Sequence, residues 1–161
     1  MAEPCPTTSR SDRSSAPDCV VIVVDTREQE PYVFDPERVT IVRRKLPAGD
    51  YSLDGHETMV AAERKSLDDY VASVVRDRDR FARELRVLSG YEVACVVVEA
   101  TLEDVLAHRY RSDAHPNAVL GATLSIIVDR SVPVFFCGDR QIARRFVEGL
   151  LCRYARKVVG E

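Results

Sequence analysis

The sequence predicts an α/β fold in which helices flank a mixed central sheet. A continuous, β-branched apolar run from Cys19 to Val24 is long enough for a strand that is buried on both faces. Further strand-like runs, separated by turn signals, fill the rest of the first half of the chain. In the second half such runs alternate with helical patterns, which is the order expected of a sheet covered by helices.

The composition is that of an ordinary globular domain. Of the 161 residues, 45% are hydrophobic and 30% are charged, and the formal net charge is −3. A general nucleic-acid coating protein is usually basic, so this charge argues against that class but permits an enzyme with clustered carboxylates. No apolar run approaches the roughly 18 residues that span a bilayer, and no secretory signal is recognised, so we expect a cytoplasmic protein without membrane contact.

One domain is expected behind a short tail. Residues 1–18 contain almost no large apolar side chain and are predicted to be a disordered tail, followed by a domain over residues 19–161. The five cysteines form no C-x-x-C pair, and the three histidines show no metal-ligand spacing. Buried reduced thiols are therefore expected rather than a disulfide framework or a zinc site.

The first half is predicted to contain four strands. After the first apolar run they are Val39–Leu46, a short strand that begins near Asp50, and Thr58–Arg64. Asp54-Gly55 is a two-residue hairpin signal between the last two of these strands. Asp50 and Glu63 would then lie on neighbouring antiparallel strands, where their carboxylates can come together.

Helices and two more strands follow. They are a helical region from Ser66 to Gly90 with a break at Arg76–Asp79, a strand over Glu92–Glu99, a short helix from Thr101, a helix over Ala118–Asp129, a strand over Val132–Phe136, and a helix from Arg140 to about Lys157. The helix over Ala118–Asp129 is predicted to bury a wide apolar face that includes Leu124 and Ile127.

Asp50 and the triplet Glu63-Arg64-Lys65 indicate a site for phosphate and metal chemistry. Phosphodiester hydrolysis requires relief of the phosphate charge and a nucleophile made from water, and a magnesium-like ion on a few carboxylate oxygens provides both. Asp50 and Glu63 are the minimum pair of ligands. Lys65 is two residues from Glu63 on the same strand, so both side chains project from one face and Lys65 can orient the attacking water.

Further candidates follow the first strand. Asp25, at the end of that strand, could supply a third ligand directly or through water, and Glu28 could be an outer member of the site. Arg27 and Arg64 could contact phosphates or hold the carboxylates in position. Each residue type also occurs at strand ends as an ordinary solvated side chain, so the hypothesis depends on their combination.

The spacing of these residues resembles a known signature. Gly49-Asp50, a gap, and Glu63-Arg64-Lys65 with Asp69 four residues after the lysine is similar to the G-D and E-R-K-x-x-x-D motifs of the XPF-type structure-specific endonuclease family, within the PD-(D/E)xK nuclease superfamily. The run Asp25-Thr26-Arg27-Glu28 resembles the D-x-R-E element of that family. The likeness covers roughly residues 20–157 and includes the basic helix after the motif, from Asp79-Arg80-Phe81 to Leu88.

The resemblance implies a restriction-endonuclease-like nuclease fold and endonucleolytic cleavage of DNA that depends on Mg²⁺ or Mn²⁺. It implies branched or flap DNA as a substrate, in repair or recombination, and a nucleoid or nuclear location within the cell. The implied catalytic residues are Asp25, Asp50, Glu63 and Lys65, the first three as metal ligands, with Glu28, Arg64 and Asp69 in support.

Four arginines are candidates for DNA binding. They are Arg27, Arg76, Arg80 and Arg83, of which the last three fall at i, i+4 and i+7. The alternative is a solvated helix face paired with acids such as Asp77, Asp79 and Glu84. Arg80 is the first choice, because it lies where the family's basic helix begins.

Two other functions are left open by the sequence. One is a non-catalytic DNA-binding or scaffold subunit, and the other is an RNA-cutting or restriction-type nuclease with the same core. Many members of the family also carry a helix-hairpin-helix domain that this chain does not resemble. Specificity is therefore expected to come from a second copy of the chain or from a protein partner.

Overall fold

Residues 19–160 are described by the structure, a computed structural model, and they form a six-stranded sheet flanked by helices. The strands are β1 (Val20–Val24), β2 (Val39–Arg43), β3 (Tyr51–Leu53), β4 (Val60–Lys65), β5 (Val93–Val98) and β6 (Val134–Phe136). The helices are α1 (Leu67–Val75), α2 (Arg78–Leu88), α3 (Leu102–Leu106), α4 (Pro116–Arg130) and α5 (Arg140–Val159).

The sheet is mixed, as the sequence predicts. Its strand order is β2-β1-β3-β4-β5-β6. Strand β3 runs antiparallel to both of its neighbours, β1 and β4, while the other adjacent pairs are parallel. Tyr51 of β3 lies opposite Ala62 of β4, so Asp50 and Glu63, the next residues outward, meet at one end of this pair.

Helices cover both faces of the sheet. Successive strand residues point to opposite faces, and β5 shows the consequence. Cys95 and Val97 join a core that α5 covers, with Val147 and Leu151 among its members. Val96 and its neighbours of the same parity join a second core, which is covered by α1, α2, α3 and α4. The predicted α/β architecture is confirmed.

Several local expectations are also met. Helices α1 and α2 are separate, with the break where the sequence predicts it, and Ser66 caps α1 by accepting from the Asp69 backbone N–H. Thr101 and Asp104 form the predicted capping box of α3. All four described cysteines are free, and those at 95, 137 and 152 are buried as expected, whereas Cys19 is exposed and the expectation of burial is wrong for it.

Some predictions concern residues that the structure does not describe. The predicted tail over residues 1–18, and the fifth cysteine within it, lie outside residues 19–160. The start of the domain at residue 19 therefore stays a prediction. No helix of the described part is both long enough and apolar enough to cross a membrane.

Two expectations about the elements are wrong. The two-residue hairpin signal Asp54-Gly55 lies within a longer connection over residues 54–59, and β4 begins at Val60 rather than at Thr58. Helix α4 buries Val119 and Ile126, but Leu124 is 51% exposed and Ile127 is 40% exposed. The buried stripe is narrower than the apolar pattern because α4 contacts the remainder of the domain along one side.

Gly49 allows the chain to pass very close to β4 just before Asp50. Its φ is +80°, and a Cβ there would lie 2.9 Å from Ala61 Cβ and 3.3 Å from the Ala62 carbonyl oxygen. The Asp50 backbone N–H then donates to that same oxygen at 2.9 Å. Gly49 is therefore required both for the left-handed backbone and for the close approach that places Asp50 beside β4.

Replacing Gly49 should be more costly than replacing another glycine with the same backbone angle. We expect Gly49→Ala to reduce the free energy of unfolding by roughly 3 kcal/mol, because left-handed strain and overpacking add. Gly55→Ala is the matched control, since Gly55 also has φ +80° but nothing lies within 4 Å of its Cβ position. That control should lose only about 1 kcal/mol in urea unfolding. Equal losses of unfolding free energy in the two variants would show that the close approach of Gly49 to β4 adds nothing to the cost of the substitution.

Candidate active site

An open groove of about 750 Å³ lies beside the ends of β3 and β4 and is bounded by α1 and α2. The acidic residues that the sequence predicts for the site and that line this groove are Glu28, Asp50, Glu63 and Asp69. The predicted basic residues that line it are Arg27, Arg64, Lys65, Arg76, Arg80 and Arg83. Asp25 is absent from the lining.

Glu63 lies at the buried base of the groove. It is 4% exposed, and Lys65 Nζ lies 3.0 Å from its Oε1 atom. Its other oxygen, Oε2, is buried and accepts no hydrogen bond from an N–H or hydroxyl group of the described residues. Burial raises the pKa of Glu63 well above its usual range, and the charges of Asp50 and Glu84, with a carboxyl–carboxyl contact to Glu84, raise it further. The charge of Lys65 only partly opposes this rise.

Asp50 is held next to Glu63 by the backbone. The Arg64 backbone N–H donates to Asp50 Oδ2 at 2.8 Å. Burial raises the pKa of Asp50, and the charges of Glu28 and Glu84 act in the same direction. The Arg64 hydrogen bond and the charge of Lys65 only partly oppose this rise. Two adjacent carboxyl groups thus share a deficit of positive charge.

Lys65 is a charged hydrogen-bond donor beside Glu63. Burial lowers the pKa of Lys65, but the charge and hydrogen bond of Glu63, with the charges of Glu84 and Asp50, outweigh burial and raise it. The Lys65 Nζ also lies over the Phe81 ring of α2, 5.1 Å from the ring centroid. Lys65 therefore keeps its proton at neutral pH and can donate to a water or a phosphate oxygen.

Asp25 has its oxygens already occupied by the protein. Oδ1 accepts from the Arg27 backbone N–H at 2.7 Å and from Arg27 Nε at 2.8 Å. Oδ2 accepts from the Leu46 backbone N–H at 2.7 Å and from Arg27 Nη2 at 3.1 Å. With its side chain 1% exposed, Asp25 ties the end of β1 to Arg27 and to the segment before Asp50. The structure does not bring it together with Asp50 and Glu63 as a third groove carboxylate.

Glu28 and Asp69 lie at the edges of the groove. Glu28 Oε1 accepts from the Glu30 backbone N–H at 2.9 Å and lies 3.5 Å from Arg64 Nη1. Asp69 is in the first turn of α1, where its Oδ2 accepts from Ser66 Oγ at 2.7 Å. Both arrangements fix the surrounding chain, and the supporting role expected of these residues stays a prediction.

Arg64 is anchored by Glu99, a residue that the sequence analysis missed. Arg64 Nε donates to Glu99 Oε1 at 2.6 Å, and Nη2 donates to Oε2 at 3.2 Å. Glu99 also accepts from the Tyr32 hydroxyl at 2.9 Å and from Arg140 Nη1 at 3.4 Å. The available signal was an acid directly after the apolar strand β5, the same signal that drew attention to Asp25 after β1.

Glu84 of α2 is the second residue that was missed. The sequence allowed it as an ordinary partner for arginines on a solvated helix face. In the structure it lines the groove, and its Oε1 accepts from the Gly49 backbone N–H at 3.3 Å. Glu84 follows Phe81 by three residues and Arg80 by four, so it shares the α2 face that contacts Lys65.

Exposed arginines surround the groove. This arginine rim consists of Arg27, Arg76, Arg80 and Arg83, all of which are exposed and line the groove. The break in the helix places Arg76 at the end of α1, while Arg80 and Arg83 lie on α2. Exposed cations around buried carboxylates suit a polyanionic ligand that contacts the arginines while a metal ion binds at the carboxylates.

The donor set fits a magnesium-like ion. Within residues 19–160, no three histidine, cysteine, aspartate or glutamate side chains are arranged to hold a metal ion. Asp50 and Glu63 instead offer two neighbouring carboxylates, with an unpartnered buried oxygen on Glu63. Mg²⁺ commonly binds to one or two carboxylates and keeps several of its waters, so this pair is compatible with it.

Comparisons with known proteins assign the fold and the family. The chain has the fold of an XPF-type nuclease domain. XPF from Aeropyrum pernix in complex with DNA matches with a TM-score of 0.65 and 24% identity, over 86% of this chain and 66% of that one. XPF from the same organism matches in a second structure with a TM-score of 0.66 and 23% identity, over 86% and 67% of the two chains.

The family follows from the sequence match. The ERCC4 domain model matches residues 24–150, so the chain belongs to the ERCC4 domain family. A predicted ATP-dependent RNA helicase of Methanocaldococcus jannaschii is 32% identical over 117 residues, which is 73% of this chain. The chain spans 13% of the length of that helicase.

Asp25 should stabilise the fold through its charge. Burial raises the pKa of Asp25, but the hydrogen bonds from Arg27 and Leu46 outweigh burial and lower it. A lowered pKa means that this stabilisation is present above the ordinary aspartate pKa and is lost as pH falls through the folded-state value. We expect Asp25→Asn to reduce the free energy of unfolding by about 2 kcal/mol at neutral pH.

Denaturant unfolding of wild type and Asp25→Asn across pH provides the check. The gap in unfolding free energy between the two proteins should be constant at neutral pH and should narrow below about pH 4. A gap that stays constant throughout the acid range would show that the Asp25 charge does not stabilise the fold.

Proposed function

We propose that this chain is a DNA endonuclease that requires Mg²⁺ or Mn²⁺, with Asp50 and Glu63 holding the ion. The observation that carries the proposal is the state of Glu63. Its buried Oε2 has no partner among the described residues, while Lys65 lies 3.0 Å from Oε1 and Asp50 lies alongside. Membership of the ERCC4 domain family supports a nuclease, and the XPF relative solved with DNA supports DNA as the substrate.

Each side chain has a proposed part in the chemistry. When bound, a divalent ion supplies positive charge to the phosphate and lowers the pKa of a water. Asp50 and Glu63 supply the oxygens for that ion, and Lys65 donates a hydrogen bond that orients the attacking water or the phosphate. Arg64 keeps Asp50 in place through its backbone N–H, while its guanidinium is fixed by Glu99.

Three further acids position the site rather than react. Asp25 would act by holding Arg27 and the end of β1, because its oxygens are occupied by hydrogen bonds. Glu28 and Asp69 would hold the loop after β1 and the first turn of α1. The ligand role that the sequence suggested for Asp25 would then be indirect.

The arginine rim is the proposed contact surface for the DNA backbone. Its four side chains are exposed, and they border the groove at whose base Glu63 lies. Phosphate contacts of this kind supply affinity without reading sequence. We propose branched or flap DNA as the substrate class, in repair or recombination, with a second copy of the chain or a partner protein adding specificity.

Cleavage of labelled flap, fork and plain duplex DNA tests the proposed activity. We expect cutting with Mg²⁺ or Mn²⁺, none with EDTA, and a loss of more than about a hundredfold in Glu63→Gln, because a ligand matters more than the residues around it. Glu37→Gln is the matched control, since Glu37 is exposed and is not part of the groove lining. It should cut like wild type.

Three outcomes would contradict the proposal. Cutting that survives in EDTA or in Glu63→Gln would exclude the proposed metal site. DNA binding without cutting under every metal would favour a scaffold subunit. Preferential cutting of matched RNA substrates would make the enzyme a ribonuclease.

Salt-dependent binding tests the arginine rim. We expect Arg80→Ala to weaken DNA binding and to reduce the slope of log affinity against log salt by about one, because one phosphate contact is lost. Arg86→Ala is the control, since Arg86 is exposed on the same helix but is not part of the groove lining. Identical slopes for wild type and Arg80→Ala would show that Arg80 does not contact DNA and is an ordinary solvated side chain of α2.

A further inference from the structure

Helix α2 brings a third carboxylate to the groove where Asp50 and Glu63 meet. Glu84 lines the groove with them, and its Oε1 accepts a hydrogen bond of 3.3 Å from the Gly49 backbone N–H. Gly49 immediately precedes Asp50, so this contact joins α2 to the segment that positions Asp50. Glu84 comes from a helix more than twenty residues farther along the chain than Glu63, and no local motif links them.

Glu84 also lies on the α2 face that contacts Lys65. Phe81, one helical turn before it, packs its ring under Lys65 Nζ at 5.1 Å.

A cluster of acidic residues does not by itself make a metal site. Here the independent observation is Glu63 Oε2, a buried oxygen on a side chain that is 4% exposed. This oxygen accepts no hydrogen bond from an N–H or hydroxyl group of the described residues. Carboxylates crowded around such an oxygen repel one another unless a proton or a cation joins them, and a bound cation is the state that phosphodiester chemistry can use. Yet no three acids in the described part of the chain are close enough to hold a metal directly.

We propose that Glu84 belongs to the metal site as an outer carboxylate, which accepts hydrogen bonds from the water shell of an ion held by Asp50 and Glu63. This inference rests on the proposed function, because it presupposes that pair of ligands. A magnesium-like ion keeps several waters. A carboxylate that contacts the ion through these waters holds them in place and adds negative charge near the ion. Through Glu84, the metal-bound site would contact helix α2, which also carries Arg80 and Arg83 of the arginine rim.

Titration of the full chain with Mn²⁺, followed by calorimetry, measures this role without any cleavage. Glu84→Gln retains an oxygen that can accept from the Gly49 N–H, so only the charge is removed. We expect Mn²⁺ affinity to fall about tenfold in this variant. Asp79→Asn is the matched control, since it removes one charge from an exposed position of α2 that is not part of the groove lining. Its affinity should stay within about twofold of wild type.

Thermal unfolding in EDTA separates the outer-carboxylate role from a structural one. In EDTA we expect Glu84→Gln to have a Tm equal to or above that of wild type, because one of three crowded carboxylates has been removed. With saturating Mn²⁺ the order should reverse, since the variant gains less from the ion. A residue that merely braced Gly49 would show a lower Tm in EDTA and unchanged Mn²⁺ affinity, which would overturn the inference.

The same titrations distinguish failure of the inference from failure of the proposed function. If wild type binds Mn²⁺, Glu63→Gln loses binding and Glu84→Gln binds like wild type, then Glu84 has no part in the site while the ligand pair stands. If wild type binds no Mn²⁺, both the ligand pair and the role of Glu84 are overturned.

Discussion

Glu63 carries a carboxyl group into the base of a groove where positive charge is scarce. Burying a carboxylate is costly unless it is paired and hydrogen-bonded, and here Lys65 reaches only Oε1 while Oε2 has no partner among the described residues. Asp50 and Glu84 add negative charge to the same place. A site of this kind either retains a proton or gains a cation, and the latter state is the one that phosphodiester chemistry can use.

Backbone groups, rather than long side chains, set the position of Asp50 beside Glu63. The Asp25 backbone N–H donates to the Asp50 carbonyl oxygen at 2.8 Å, and the Asp50 backbone N–H donates to the Ala62 carbonyl oxygen at 2.9 Å. These two hydrogen bonds link the end of β1, the start of β3 and β4. Gly49 makes this approach sterically permissible. The arginine rim is exposed by contrast, so cations that a polyanion can reach surround carboxylates whose positions are set by the backbone.

Sequence reasoning predicted the parts of the site that depend on local rules. A strand period of two places Lys65 beside Glu63, and adjacent antiparallel strands bring Asp50 to Glu63. Glu84 and Glu99 were missed because their contacts depend on how α2 and β5 are placed against distant segments, for which no short motif exists. For Asp25 the sequence indicated a possible ligand but not its hydrogen bonds. An acid at a strand end does not reveal that the Arg27 side chain and the Arg27 and Leu46 backbone N–H groups occupy its oxygens. Leu124 of α4 is exposed although it belongs to the apolar pattern. Such a pattern predicts how wide the apolar face of a helix is, but not how much of that face the rest of the domain covers.

The most direct measurement is an anomalous difference map from crystals of the full chain soaked in Mn²⁺. If the buried carboxylate pair is a metal site, the main peak in the groove will lie in contact with Glu63 Oε2 and an oxygen of Asp50, with Glu84 one water away. A map with no peak beside Glu63, or with the ion bound only at the exposed acids outside the groove, would contradict the assignment of this pair as the metal site.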